Sequence, residues 1–167
     1  HKLELAQQMF EYVEQDRERL HKYLPWVDQT KSIEDEKNFI QMTIEDWQNQ
    51  TLFGYGIFRK SDMTYMGNCG VHTIAWSVDR CELGYWILGN FEGQGYMTEA
   101  VCALEKTLFE LGFNRIEIRC EPSNARSASI AKRNNYQLEG LLKENLRLNG
   151  RYVDTMVFAK LKSQYHK

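Results

Sequence analysis

The chain has 167 residues, 43% of them apolar and 26% charged, with a formal net charge of −2. That is enough chain for one compact domain with its own core, so pervasive disorder is not expected. No apolar run approaches the roughly 20 residues that cross a bilayer, and the charge gives no global attraction to nucleic acid.

In chain order, Leu5, Met9, Tyr12, Val13, Asp16 and Leu20 recur with a period near 3.6 and predict a helix ending before Leu24-Pro25-Trp26. Ser32 with Asp35 resembles a capping box, opening a second helix that runs to about Gln48. Residues 51–60 read as a strand, 61–64 as a turn, and 65–76 as the antiparallel partner. Residues 81–88 form another strand. Met97, Val101, Leu104, Leu108 and Leu111 then make an apolar helical stripe, with Glu99, Glu105, Lys106 and Glu110 on its wet face and Gly112 as a cap. Residues 115–120 alternate as a strand, and Ser123 opens a shorter helix. Residues 137–148 and 151–161 form a hairpin closed by Asn149-Gly150, a pair suited to a type I′ turn. There is no repeat, low-complexity stretch or linker. The order predicts a single α+β domain, a mixed α/β architecture, spanning residues 1–167.

Cysteines stand at 69, 81, 102 and 120 without a C-x-x-C pair, which suits free thiols in a reducing cytoplasm better than a zinc site. The four histidines have no metal-ligand spacing, so no metal is expected.

The segment Asn90-Phe-Glu-Gly93-Gln-Gly95-Tyr-Met-Thr-Glu-Ala100 places two glycines where a helix begins. The first turn of a helix has unpaired N–H groups and a dipole that favours an anion. Bare glycines let a phosphate approach those donors; the competing reading is a tight turn that needs positive φ. A P-loop is absent, because no Gly-Lys-Ser/Thr follows. A dinucleotide fingerprint wants a third Gly where Thr98 stands, although Glu117 lies near the distance of its acidic residue.

The run Glu82-Leu-Gly-Tyr-Trp-Ile-Leu-Gly-Asn-Phe-Glu-Gly-Gln-Gly-Tyr-Met-Thr resembles the acetyl-CoA-binding segment of the GNAT acyltransferase superfamily. In that family a strand splays from its neighbour, the pantetheine arm lies in the gap, and a Gln/Arg-x-x-Gly-x-Gly/Ala turn holds the pyrophosphate. Here Asn90 stands in the first place of that turn. A second stretch, from Glu121 to Gly140, resembles the family's Asn-x-x-Ser helix, and residues 148–161 resemble the closing hairpin of the RimJ/RimL branch, which acetylates N-terminal amines of ribosomal proteins. The resemblance runs from about Leu5 to Leu161 and places the family's first strand upstream of His1.

It implies the GNAT fold, a mostly antiparallel twisted sheet with one splayed pair, and acetyl-CoA as co-substrate. Ile87, Leu88, Gly93, Gln94, Gly95, Tyr96, Met97 and Thr98 would bind it, together with Asn124, Ser127 and Lys132. Arg133 would join Lys132 at the ribose phosphate. Backbone N–H near Leu88 would polarise the acetyl carbonyl. Ser127 would protonate the leaving thiolate, because Ala131 stands where many members have Tyr. The base would be Glu82 or Glu144; Leu146 occupies the branch's usual Glu position, and Glu144 shares its face if the strand is regular. His72 is a further candidate. The expected acceptor is a protein N-terminus. The rivals are a small amine (polyamine, amino sugar or antibiotic) and a non-catalytic acetyl-CoA-binding module. Trp26, Trp47, Tyr55 and Trp86 are candidates for the acceptor groove, the competing and commoner role of half-buried aromatics being core packing. No direct nucleic-acid partner and no membrane contact are expected, and hairpin edges could pair in a homodimer.

Overall fold

The computed structural model describes residues 2–165. Its helices are α1 Ala6–Gln15, α2 Arg17–His21, α3 Ile33–Asn49, α4 Tyr96–Glu110 and α5 Ala125–Arg133. Its strands are β1 Phe53–Phe58, β2 Tyr65–Ala75, β3 Arg80–Ile87, β4 Arg115–Cys120, β5 Gln137–Leu148 and β6 Arg151–Leu161. The six strands form one sheet in the order β1-β2-β3-β4-β6-β5. Every pairing is antiparallel except β3 with β4.

That parallel pairing runs only from Arg80↔Arg115 to Leu83↔Ile118. Beyond it, β3 continues through Ile87 along β2 while losing β4, so the sheet opens into a wedge. α4 and α5 cover one face of the sheet, over a core that includes Leu83, Met97, Val101, Ile116 and Phe158. The opposite face carries two smaller clusters, Met9 with Ile40 and Tyr65, and Val13 with Leu20 and Val27.

The mixed α/β class, the splayed pair, the Ser32 cap and the hairpin turn match the sequence reading. Ser32 Oγ accepts from the Asp35 N–H at 3.2 Å. Asn149 and Gly150 take φ of +49° and +78°.

Five details differ. The first helix breaks at Asp16, whose carboxylate accepts from the Gly89 N–H and Arg19 instead of lying on an uninterrupted stripe. Leu111 is 73% exposed, while Phe109 takes the buried position at the end of α4. Glu105 is buried, not wet, because Lys160 of β6 reaches it at 2.6 Å. The cap of α5 is Asn124 rather than Ser123, its side chain accepting from the Ser127 N–H. β5 is irregular: its register slips between Leu142 and Leu146, and Glu144 sits in that bulge at φ +48°.

Candidate active site

The loop after β3 delivers Gly93 at φ +73° and Gly95 at φ +88°. A Cβ at either would meet nothing within 4 Å, so the glycines serve the backbone conformation and leave the space above it open. The N–H groups of Tyr96, Met97 and Thr98 have no partner among the described residues. Three unpaired amides at the positive end of a 15-residue helix suit an anion. Gln94 turns back on its own loop, donating to Asn90 O at 2.8 Å. A cavity of about 170 Å³ lies here, walled by the glycines, Tyr96, Met97, Thr98, Arg126 and Arg133. Arg133 also reaches the Thr98 hydroxyl at 3.5 Å. Lys132, one step round α5, is exposed and lines neither this cavity nor the larger one.

The larger cavity, about 390 Å³, shares Ile87, Glu92, Met97, Arg126 and Ile130 with the first, so the two are continuous. It occupies the wedge where β3 leaves β4. Tyr85, Trp86 and Ile87 form one wall, residues 123–127 the second, and Arg19, Leu20, Lys22, Tyr23 and Leu24 the third. Asn124 Oδ1 caps α5 by accepting from the Ser127 N–H at 3.2 Å, which leaves its amide NH2 for a ligand. Ser127 Oγ donates to the Tyr85 hydroxyl at 3.2 Å, and that hydroxyl donates to Ser127 O at 3.2 Å. Burial keeps the Tyr85 phenol well above its ordinary range, so it stays protonated at neutral pH. Tyr85 was missed in the sequence; strand alternation, which puts it on one side with Leu83 and Ile87, was the available signal.

Leu88 does not present its N–H to the wedge, because that group donates to Met66 O at 2.8 Å. Alternation along the strand then turns the N–H of Ile87 toward the missing β4 partner. Arg19 enters from the same side. It donates to Ile87 O at 2.6 Å, Glu92 Oε1 at 2.6 Å and Asp16 Oδ1 at 2.8 Å. Arg126 holds the other oxygen of Glu92 at 2.5 Å. No motif announced this network, whose members come from three separate stretches of the chain.

Glu82 lies on β3 but on the face opposite Tyr85, and it lines neither cavity. Arg119 Nε stands 3.5 Å from it and His72 Nε2 4.0 Å. Burial pushes its carboxyl above the usual range, with Arg119 pulling the other way. The His72 ring covers Gly84, where a Cβ would come within 2.7 Å of Nε2. Burial, with the nearby Arg119, lowers the His72 pKa, which keeps the ring neutral. Glu144 is exposed in the β5 bulge, its N–H bound to Asp154 at 3.0 Å. The regular strand that would aim it with position 146 is absent. Of the four aromatics, Trp86 lines the cavity and Trp26 packs behind it, ring centres 5.6 Å apart. Trp47 and Tyr55 pack together at the β1 edge instead. No group of three or more candidate metal ligands occurs among the described residues.

The family model described as "Acetyltransferase (GNAT) domain" matches residues 2–137. The ribosomal-protein-serine acetyltransferase of Escherichia coli (strain K12) is 27% identical over 154 residues, covering 92% of this chain and 85% of that one. The structure of RimL, a ribosomal L7/L12 alpha-N-protein acetyltransferase, in complex with coenzyme A has a TM-score of 0.93 at 26% identity, covering 99% of this chain and 93% of that one. The microcin C7 self-immunity acetyltransferase MccE, in complex with acetyl-CoA and AMP, has a TM-score of 0.92 at 27% identity, covering 96% and 88%. The bare amides and open glycines fit the diphosphate of such a coenzyme, and the chain belongs to the GNAT acetyltransferase family as an acetyl-CoA-dependent N-acetyltransferase.

Proposed function

We propose that this single domain transfers the acetyl group of acetyl-CoA directly to the N-terminal α-amine of a protein, with ribosomal proteins as the acceptor class. The observation that carries this reading is the lining of the larger cavity. Its one carboxylate, Glu92, is held between Arg19 and Arg126, while Leu20, Tyr23, Leu24 and Trp86 form an apolar wall. A polyamine needs spare carboxylates; a peptide end needs an open, partly apolar slot. An α-amine also titrates near 8 against about 10.4 for lysine, which spares about 3.4 kcal/mol of deprotonation cost.

In the proposed reaction, residues 93–98 hold the diphosphate, with Arg133 and Lys132 toward the ribose phosphate. The Asn124 amide and the Ile87–Leu88 strand end hold the pantetheine arm. The acceptor nitrogen attacks the thioester carbonyl carbon, whose oxygen gathers charge facing the Ile87 N–H. The carbon–sulfur bond breaks, and the thiolate takes its proton from Ser127 Oγ, which Tyr85 can replenish. Glu82, which lines neither cavity, takes the proton lost by the amine through a relay of waters along the side of β3 it shares with Trp86, with Glu144 as the alternative base.

The same proposal places the protein in the cytoplasm, supported by its free thiols, and in a homodimer, supported by exposed Leu138, Leu141 and Leu146 on edge strand β5. No described helix is long and apolar enough to cross a membrane.

The test is thiol release with acetyl-CoA over a panel of N-terminal peptides, polyamines and amino sugars. Turnover confined to peptides supports the proposal, and turnover confined to polyamines overturns it. A small-molecule acceptor is the second reading, because MccE, in complex with AMP beside acetyl-CoA, overlays as well as RimL. Binding without thiol release from any amine would leave a coenzyme-binding module.

A further inference from the structure

We infer that Arg19 is a positioning residue: with Asp16 it clamps the free end of β3, so that the Ile87 N–H faces the wedge where transfer occurs. The inference rests on transfer taking place in the larger cavity, as proposed above.

Four observations meet at this guanidinium. Its Nη2 donates to Ile87 O, the last carbonyl of β3, at 2.6 Å. Its Nη1 donates to Glu92, directly before the first cradle glycine, at 2.6 Å. Its Nε is bound to Asp16, whose carboxylate also accepts from the Gly89 N–H at 2.8 Å. Finally, a Cβ on Gly89 would stand 3.0 Å from Arg19 Nε and 3.5 Å from Asp16 Oδ1, so the absence of a side chain there seats the pair.

The clamp grips at Ile87, Gly89 and Glu92. That stretch needs it, because β4 leaves β3 after Leu83 and only β2 still pairs with it. A strand end open on one side wanders unless something substitutes for the missing strand. Arg19 supplies donors in a rigid fork at that place, which a lysine cannot reproduce. Asp16 interrupts the first helix to supply the opposing carboxylate. Since Arg19 also lines the cavity, the alternative is that it binds the acceptor directly, and the kinetics separate the two roles.

Arg19→Lys, Gly89→Ala and the double variant are compared in the full chain. The clamp predicts that kcat falls on the order of 10²-fold in Arg19→Lys, the scale of a misplacement of about 1 Å. The KM values for acetyl-CoA and acceptor should each stay within about threefold, and calorimetric affinity for CoA should persist, which reports an intact fold. Gly89→Ala keeps the charge and displaces the fork, so it should reproduce the loss, and the double variant should be no worse than the poorer single one. Wild-type kcat in Arg19→Lys, a rise in acceptor KM alone, or additive losses would overturn the inference. Amide exchange at Gly89 gives a readout independent of any acceptor. It should speed up at least about tenfold in Arg19→Lys, the mark of a lost local constraint; an unchanged rate overturns the clamp. If the wild type acetylated no amine while Gly89 exchange responded, the acceptor proposal would fail and the clamp would stand.

Discussion

The two faces of the sheet are held by different means. Under α4 and α5 lies one continuous apolar core reaching from Cys69 to Phe158. Under α1 to α3 lie two small clusters that, among the described residues, meet only at Trp86, with polar ties beside them. Arg17 reaches Val27 O at 2.5 Å and Thr30 O at 2.6 Å, and Arg19 reaches the end of β3. In the proposed reaction the coenzyme end of the site grows from the first face and is largely main chain, while the acceptor end grows from the second and is made of side chains. A site built on backbone tolerates side-chain change except where a side chain would fill it, whereas a site built on side chains fails residue by residue.

The largest expected effect tests the first half of that contrast. Gly95→Val puts a branched side chain at φ +88° and into the open space before Tyr96. Left-handed strain of about 1–2 kcal/mol and obstruction of the bare amides together should weaken CoA binding by on the order of 10²-fold, read by calorimetry. An unchanged affinity would show that the amides of residues 96–98 are not the anchor.

Ser127→Ala should act on rate rather than binding. Loss of a positioned proton donor costs about 10²-fold at the low end of such effects, and Tyr85 can partly cover it from its place beside the serine. The expected fall in kcat is therefore about 30-fold, with CoA affinity within twofold of wild type. Unchanged kcat would remove Ser127 from the chemistry.

These effects track what the sequence could reveal. The cradle was legible because its chemistry is local: two glycines and a helical stripe lie within twenty residues. The hairpin turn was legible for the same reason at Asn149-Gly150. Glu105 was misread because periodicity sees its own helix and not Lys160, which lies 55 residues away. Asp16 was misread as part of a stripe because one of its partners, the Gly89 N–H, lies 73 residues away in a loop that only folding brings to it. Glu144 was judged on a regular strand, and a bulge leaves no mark in the alternation of Leu142, Glu144 and Leu146. Arg19 offers no pattern at all.

A third test uses pH to load one face only. Glu36 of α3 is 3% exposed, and burial raises its carboxyl from 4.5 to about 7. A group raised on folding contributes stability that is whole below about 4.5 and is lost as pH climbs through about 7. The wild type should lose about 1–2 kcal/mol between pH 5 and pH 8, after discounting the full shift for solvent access. Glu36→Gln should flatten that slope in urea titrations. CoA affinity should not follow it, because the strain falls on the helical face. A parallel drop in CoA affinity would show that the two faces are not separable.

The smallest expected effect concerns the base and bears hardest on the acceptor face. Glu82 is mostly buried, while Glu144 stands in a solvent-facing bulge. Burial raises the Glu82 pKa, so as a base acting through water it should make kcat rise with pH through a value above the usual carboxylate range. An α-amine near pKa 8 needs little assistance, so Glu82→Gln should cost only about tenfold at pH 7, below the usual return from a general base. Glu144→Gln should leave the profile intact, since Asp154 binds its backbone and nothing in the hairpin directs its carboxylate to the cavity. The reverse outcome would move proton removal to the hairpin, and acceptor binding would then have to cross the wedge from β5. Two unaltered profiles would assign the proton to bulk water, leaving acceptor chemistry to placement alone; of the two ends of the site, the acceptor end would then contribute geometry and no acid–base group beyond Ser127.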